Sequence, residues 1–551
     1  MPKQVIKSGS RPPWVGLSAA VWVEIAAGNA YNFPLYSHAL KSVLGYNQQQ
    51  LTMLGVANDV GESVALLPGY ACSKLQPWMV LFVGACACFF GYGLIWLSVT
   101  QTLPALPFWL LWIALIVATN SNAWFGTAVL VTNMKNFPLS RGTVAGILKG
   151  YAAIGGAVYT VIYNVFLDQS PPRLLLFLAL GIPVLCFAMM YLIRPCAPAS
   201  GEDSSEHVHF IFTQAMAVLA AVLVLTITVV GHVVSVRRSV SYALVGLVVV
   251  LLLSPLAIPV KMTFFRKKST KKQERGEIDA TTSPLLRPSS SLGSFIEMED
   301  DDASDVQTLL AEGGGTVEKE RRPRRGEDFR LREAFVKADF WLLWFVYFLG
   351  VGSGVTVLNN LAQVGIAVGI DNTTVLLCLF SFFNFVGRLS SGAISEHFVK
   401  SRAMPRTVWM TLAQILMVIA FVLYALSSSA TLYPATALLG TCYGFQYSLM
   451  VPTASELFGL EHFGIIYSVM ILGNPVGAVF FSGLLAGHLY DAEAIRQGSS
   501  TCYGPECFRL TFVILACVCG VAAILGVVLT VRIRPVYRSL YGARSSRLSQ
   551  E

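Results

Sequence analysis

Thr407-Val-Trp-Met-Thr-Leu-Ala-Gln-Ile-Leu-Met-Val-Ile-Ala-Phe-Val-Leu-Tyr-Ala-Leu426 is followed, after a short Ser-rich break, by Thr431-Leu-Tyr-Pro-Ala-Thr-Ala-Leu-Leu-Gly-Thr-Cys-Tyr-Gly-Phe-Gln-Tyr-Ser-Leu-Met-Val-Pro-Thr-Ala-Ser455. From residue 407 to 455 there is no Lys, Arg, Asp or Glu. A helix that crosses the hydrocarbon core needs roughly 20 mostly apolar residues. This stretch therefore reads as two consecutive spans. The run 105–134 is equally free of charge. Over all 551 residues, 55% are hydrophobic and 13% charged, against about 25% charged in an ordinary soluble domain. A soluble enzyme is excluded.

Working outward with the same criterion places spans near 14–36, 51–73, 78–98, 105–132, 143–167 and 173–193. Two more fall near 210–233 and 239–260. A polar segment follows, then spans near 339–362, 373–395, 407–427, 430–453, 463–487 and 509–531. The fold class is an all-α polytopic membrane protein of about fourteen spans. The first apolar run, from Trp14 to Tyr36, is too long for a cleavable leader and is expected to remain as the first span.

Lys and Arg gather on the cytoplasmic side of membrane proteins. With the N-terminus inside, six of the 39 Lys and Arg fall outside: Lys41, Arg173, Arg237, Arg238, Arg496 and Arg509. Lys149 and Arg388 lie within spans, and all the others are inside. Both termini are then cytoplasmic. The net charge of +8 is explained by insertion, and no basic stripe with interleaved aromatics points to nucleic acid.

The domains expected are a cytoplasmic N-terminus (1–13), a six-helix half (14–195), an inserted helical hairpin (196–260), a cytoplasmic loop (261–337), a second six-helix half (338–533) and a cytoplasmic tail (534–551). The loop is rich in Ser, poor in aromatics and runs in charge blocks, so it is expected to be disordered. Its first basic cluster, Arg266 to Lys272, either touches anionic lipid or is a solvated linker. It could also recruit cytosolic partners.

The two halves can be laid on each other. Gly28 and Gly350, Gly142 and Gly464, and Gly155 and Gly477 are each 322 residues apart, and Gly69 and Gly392 are 323 apart. Both halves start inside, so the repeat is parallel, the arrangement of the two halves of major facilitators. After the second helix of the second half stands Gly392-Ala-Ile-Ser-Glu396-His-Phe-Val-Lys400-Ser-Arg402. It resembles the major facilitator signature Gly-x-x-x-Asp-Arg-x-Gly-Arg, with Glu396 at the acid position. The first copy, Gly69-Tyr-Ala-Cys-Ser73-Lys74, has no acid there. The resemblance assigns Gly69, Lys74, Gly392 and Glu396 to a gating loop.

Four stretches carry a narrower likeness: Arg11-Pro-Pro-Trp14, Gly28-Asn-Ala-Tyr-Asn-Phe33, Asn58-Asp-Val-Gly-Glu62 and Cys502-Tyr-Gly-Pro-Glu-Cys507-Phe508. In these the chain resembles the plant nodulin-like major facilitators, the nuclear fusion defective 4 group. That likeness implies a plant source and a transporter fold; it supplies no substrate. Asn384-Phe-Val-Gly-Arg388-Leu-Ser-Ser-Gly392 more loosely resembles the eighth core helix of monocarboxylate and oxalate/formate carriers. Those have an Asp four residues before the Arg, where this chain has Asn384. A carboxylate substrate is implied, and proton coupling through that pair is not.

A charge near mid-bilayer costs at least a few kcal/mol and is a functional candidate by default. Five qualify: Glu24, Asp59, Glu62, Lys149 and Arg388. Arg388 could grip a carboxylate with two parallel hydrogen bonds, or pin its helix end. Asp59 and Glu62 share one helix face and, with Glu24 and Lys149, form a candidate proton-coupling set; a structural charge pair is the alternative. Neutral candidates for substrate binding are Asn29, Asn32, Asn120, Asn122, Asn359, Asn360, Asn384, Tyr443, Gln446 and Tyr447, with helix–helix hydrogen bonding as the plainer reading. Asn474-Pro475 is a candidate hinge.

Cys502 and Cys507 fall in an outside loop, where a disulfide can persist. Asn372-Thr-Thr374 is a glycosylation sequon on that side. Asp305-Val-Gln-Thr-Leu309-Leu310 resembles an acidic dileucine sorting signal, so the vacuole membrane, another endomembrane and the plasma membrane all remain open. No nucleotide-binding loop, His-Glu-x-x-His or Cys-x-x-Cys occurs, so neither an enzyme nor an ATP-driven pump is expected, and no cofactor or metal. The function expected is secondary transport of a small organic solute. The rivals are a receptor or scaffold acting through the 261–337 loop, and a carrier of a metal or metal chelate.

Overall fold

A computed structural model describes residues 11–46, 48–103, 106–196, 204–233, 237–264, 327–370, 373–426, 429–498 and 502–548. Most of the expected loop lies outside these residues, with Asp305, Leu309 and Leu310, as does Asn372 of the sequon. The described residues form helices and no strand. Eleven of the helices are long and apolar enough to cross a membrane by length and composition. Their outer faces are apolar too: Leu67, Phe90, Val184 and Ile524 are all about two-thirds exposed or more, a surface suited to lipid rather than water.

The first half contains α1 (Arg11–Ala27), α2 (Phe33–Leu44), α3 (Gln48–Ser63), α4 (Leu66–Lys74), α5 (Pro77–Val99), α6 (Phe108–Asn136), α7 (Arg141–Val165), α8 (Pro171–Leu176) and α9 (Ile182–Met190). The hairpin is α10 (Ser204–Val233), α11 (Arg238–Leu253) and α12 (Ala257–Phe264). The second half runs through α13 (Leu331–Val336), α14 (Ala338–Ala367), α15 (Thr373–Arg402), α16 (Thr407–Ala425) and α17 (Ser429–Phe458). It ends with α18 (Phe463–Ile471), α19 (Gly473–Gly477), α20 (His488–Arg496) and α21 (Glu506–Leu548).

The expected spans near 14–36, 51–73 and 430–453 are not among the eleven. The first two are broken helices and the third is α17, with Pro434 and Pro452 inside it. Each break has a local cause. Between α1 and α2, Gly28–Asn32 tightens into a 3-10 turn just before Pro34, which cannot donate a backbone hydrogen bond. Between α3 and α4, Pro68 leaves the Val64 carbonyl without its helical donor. Asn120 Nδ2 donates to that carbonyl at 2.7 Å and to Gly61 O at 2.9 Å. The span holding Pro475 is likewise interrupted, at Leu472 between α18 and α19, before passing into a wide π turn over Ala478–Gly487.

The repeat glycines mark the closest helix approaches. A Cβ on Gly28 would lie 2.9 Å from Gly155 Cα, and one on Gly352 would lie 2.8 Å from Gly477 Cα. The same contact thus occurs once in each half. Gly350, the sequence partner of Gly28, instead meets the Gln414 amide. The other four glycines join the halves. A Cβ on Gly392 would lie 2.5 Å from the Gly142 carbonyl oxygen, and one on Gly464 would lie 2.8 Å from that of Gly69. A two-fold that exchanges the halves carries Gly142 to Gly464 and Gly392 to Gly69. The two crossings, α7–α15 and α4–α18, are therefore one contact made twice. Small residues allow it because backbones can touch.

Candidate substrate cavity and gate

Both halves line one cavity: Tyr31, Glu62, Asn122 and Lys149 from the first, Arg388, Tyr447 and Tyr467 from the second. Arg388 is 2% exposed. Its Nε donates to Asn384 Oδ1 at 3.0 Å, and its Nη1 donates to the Lys149 carbonyl, in the other half, at 3.1 Å. Its guanidinium carbon stands 4.3 Å from the centroid of the Tyr447 ring. Two edges of the fork are thus held by protein, and the Tyr31 hydroxyl is a further polar neighbour of the guanidinium.

Glu24 and Lys149 oppose one another at 3.9 Å, both buried. Neither Glu24 oxygen has a hydrogen-bond partner. Gly126 makes room for the pair, since a Cβ there would lie 3.4 Å from Lys149 Nζ. Glu62 has the Tyr31 hydroxyl and the Asn122 amide as polar neighbours, with Asp59 beside it on α3. Asp59 itself is exposed, and Asn58 Nδ2 points at its carboxylate from 3.5 Å.

The structure distributes the neutral candidates unevenly. Asn122, Tyr443 and Tyr447 stand with Arg388 and Glu62. Asn29 does not: its Nδ2 donates to Ala26 O and Ser121 Oγ, and its Oδ1 accepts from Tyr92. Asn120 is taken up by the α3–α4 break and by Trp124. Asn360 donates to Thr356 O and Ser482 Oγ, and Gln446 to Met410 O. These four serve packing. Asn32 is buried with neither side-chain polar atom hydrogen-bonded, and Asn359 is exposed. Asn474 and Pro475 lie half-buried just after the interruption at Leu472.

At the α7–α15 crossing, Glu396 Oε2 accepts from the Gly142 backbone N–H at 2.9 Å and from Arg406 Nη2 at 2.8 Å. Gly142 is the second residue of α7, where N–H groups lack helical acceptors, and a side chain there would strike Glu396 and Arg406. Arg406 is fully buried; its Nε and Nη2 also donate to Glu456, and its Nη1 to Ser395 Oγ. Glu456 further accepts from Tyr537 at 2.5 Å and Tyr541 at 3.1 Å. Lys400 Nζ donates across the crossing to Ser140 Oγ, which donates to Glu206 of α10. Arg141 reaches the Ser455 carbonyl at 3.1 Å.

Neither α4 nor α18 carries an Asp or Glu. Ser73 turns back to the Tyr70 carbonyl, and Lys74 is exposed. Arg406, Glu456, Tyr467, Tyr537 and Tyr541 belong to no motif in the sequence. The first two sit at the borders of the charge-free run 407–455, which was the available signal. Cys502 and Cys507 are joined by a disulfide. Among the described residues no group of three or more His, Cys, Asp or Glu is placed to hold a metal ion.

Residues 13–260 match the Nodulin-like family model, and residues 327–540 match the model of the NFD4 C-terminal domain. The chain is 30% identical to Protein NUCLEAR FUSION DEFECTIVE 4 of Arabidopsis thaliana, over 96% of this chain and 90% of that one. It is 22% identical to the "Probable transporter mch1" of Emericella nidulans, over 90% of this chain and 82% of that one. Among solved structures, a major facilitator proton:xylose symporter superposes with a TM-score of 0.52 at 9% identity, covering 93% of this chain and 94% of that one. The shared fold is that of the major facilitators, and this multi-pass membrane protein belongs to their nodulin-like family, in the group of NUCLEAR FUSION DEFECTIVE 4.

Proposed function

We propose that the chain is a secondary-active carrier of a small organic solute bearing a carboxylate, working by alternating access. The observation that carries this reading is Arg388: a cation 2% exposed, at the junction of the two halves, bonded across it to Lys149 O and lining their shared cavity. A buried charge at such a junction binds a ligand and senses the relative position of the halves at once. About fourteen spans with both termini cytoplasmic fit the charge pattern. In that orientation the glycine crossings and the Glu396–Arg406–Glu456 cluster close the inner end, and the cavity faces outward. Glu24, Lys149, Asp59 and Glu62 are the candidates for ion coupling, and the Leu472–Pro475 interruption for a hinge. The "Probable transporter mch1" relative supports the carrier class.

The test is uptake into vesicles by reconstituted protein, wild type against Arg388→Gln, over a panel of mono- and dicarboxylates and amino acids. Loss of uptake is expected. Unchanged transport of every substrate by correctly inserted R388Q removes Arg388 from the mechanism.

A further inference from the structure

Resting on the carrier reading, we propose that the solute is a short zwitterion, its carboxylate held by Arg388 and its protonated amine by the Asp59–Glu62 pair.

The argument begins with the charges around the cavity. Lys149 and Glu24 already face one another and offset each other. What remains is Arg388 against Glu62, both lining the cavity, with a second acid, Asp59, one helical turn from Glu62 on α3. A plain carboxylate entering here meets the repulsion of Glu62, with Asp59 behind it, as well as the attraction of Arg388. A solute that adds a cationic group turns both repulsions into attractions.

Distance selects its size. The Tyr31 hydroxyl is a polar neighbour of both Glu62 and Arg388. Tyr31, Glu62 and Arg388 line the same cavity, so a hydroxyl neighbouring both charges limits the gap between guanidinium and carboxylate to at most two hydrogen-bond lengths, about 6 Å. A carboxylate and an amine on adjacent carbons span such a gap when each sits at bonding distance from its partner. A long diamine or a dicarboxylate does not.

The occupied edges of Arg388 point the same way. Asn384 and the Lys149 carbonyl hold Nε and one N–H of Nη1, and Tyr31 neighbours the same guanidinium, so only part of the fork is left for a ligand. A ligand fixed at one point needs a second anchor. Glu62 lines the same cavity, and exposed Asp59 stands one helical turn away.

The experiment uses the purified full chain. Melting shifts are titrated with the common L-amino acids and, for each that binds, with its amide and its N-acetyl derivative. At least one amino acid is expected to stabilise the protein, with both derivatives at least tenfold weaker. Arg388→Gln and the double variant Asp59→Asn/Glu62→Gln are each expected to lose that shift, read for each variant against its own unliganded melting temperature. Should the double variant not fold, Asp59→Asn alone, at an exposed position, is expected to weaken binding severalfold. No shift with any amino acid, an N-acetyl derivative that binds as well as its parent, or unchanged affinity in the acid variants overturns the proposal. Vesicle uptake separates the two claims. Carriage of a simple carboxylate in preference to amino acids sinks the zwitterion and leaves the carrier standing. No uptake of any solute by inserted protein sinks the carrier reading itself.

Discussion

Gly392→Ala adds one methyl group where two helix backbones touch. The new carbon would lie 2.5 Å from the Gly142 carbonyl oxygen and 3.0 Å from Gly146 Cα. Relaxed carbon–oxygen contacts sit near 3.3–3.6 Å, and both obstacles are backbone, so α7 and α15 must part by about 1 Å. The bond from Gly142 N–H to Glu396, now 2.9 Å, then stretches beyond hydrogen-bonding range. Overpacking costs about 1–3 kcal/mol, and losing a bond to a charged acceptor about 1.5–3 kcal/mol. Relaxation makes these less than additive, so about 2–4 kcal/mol is reasonable. That load falls on the state in which this end is closed. At 1.4 kcal/mol per factor of ten, the open fraction rises roughly thirtyfold to several-hundredfold. Cys72 is a native reporter: it is half-buried on α4, with its Cβ against Gly464. Maleimide modification of Cys72, read by mass spectrometry, is expected to accelerate in G392A. Gly69→Ala acts in the same direction and as strongly at the mirror crossing, because even with the Ser468 hydroxyl rotated away the added Cβ meets the Gly464 backbone carbonyl. The control is Gly93→Ala, where an added Cβ has nothing within 4 Å. If G392A labels Cys72 and melts like the wild type, the crossing does not bear on the closed state and the reasoning fails.

Arg406→Ala leaves the Glu396 and Glu456 carboxylates buried without their shared cation, a loss of about 3–5 kcal/mol. A much lower melting temperature is expected, partly recovered in Arg406→Lys; a melt equal to wild type refutes the cluster's role. Asn120→Leu strips the donor from the Gly61 and Val64 carbonyls, about 1–3 kcal/mol for each group left unsatisfied, so the melt should fall by several degrees. An unchanged melt would mean that water or another group satisfies the break. Replacing Cys502 and Cys507 together by Ser opens a loop of five residues' separation, worth about 2 kcal/mol in the chain-entropy model. A lower melting temperature is expected, and adding reductant should bring the wild type down to the same value; no difference between the two proteins contradicts that.

The features legible in the sequence were those that repeat or accumulate. Apolar length located the helices, because a span declares itself over some 20 residues. The 322–323 offset found Gly142, Gly464, Gly69 and Gly392, because two-fold contacts require the same residue twice. Partners of single polar groups were not legible. Arg406 and Glu456 are 50 residues apart with nothing periodic between them, and the tyrosines completing the cluster come from a third helix. Nor does any local pattern around Asn120 show that its amide donates to the carbonyl that Pro68 leaves unpaired. Arg388 was picked out by being a charge inside a span. That its Nη1 is bound by a carbonyl of the opposite half depends on a crossing no local pattern encodes.

The repeat is kept in the glycines of the two crossings and broken in its charges, and that difference has mechanical content. The α7–α15 crossing is close-packed and also latched: Glu396 bridges to the α7 terminus, Arg406 locks it to Glu456, and Lys400 reaches Ser140. The mirror crossing has Ser73 where Glu396 stands 323 residues later, and Lys135 stands 321 residues before Glu456. Cations occupy that side without the acids that would latch them. Close packing alone is lost within a fraction of an ångström of separation, whereas an ion-paired network in a dry site resists until a partner is removed. The α4–α18 crossing should therefore part first and α7–α15 last. The inserted hairpin acts on the slower crossing, since Glu206 on α10 accepts from the same Ser140 hydroxyl that Lys400 reaches. The hairpin is thus coupled to the latch rather than merely appended between the halves, and cutting that link by Glu206→Gln should weaken only the α7–α15 side.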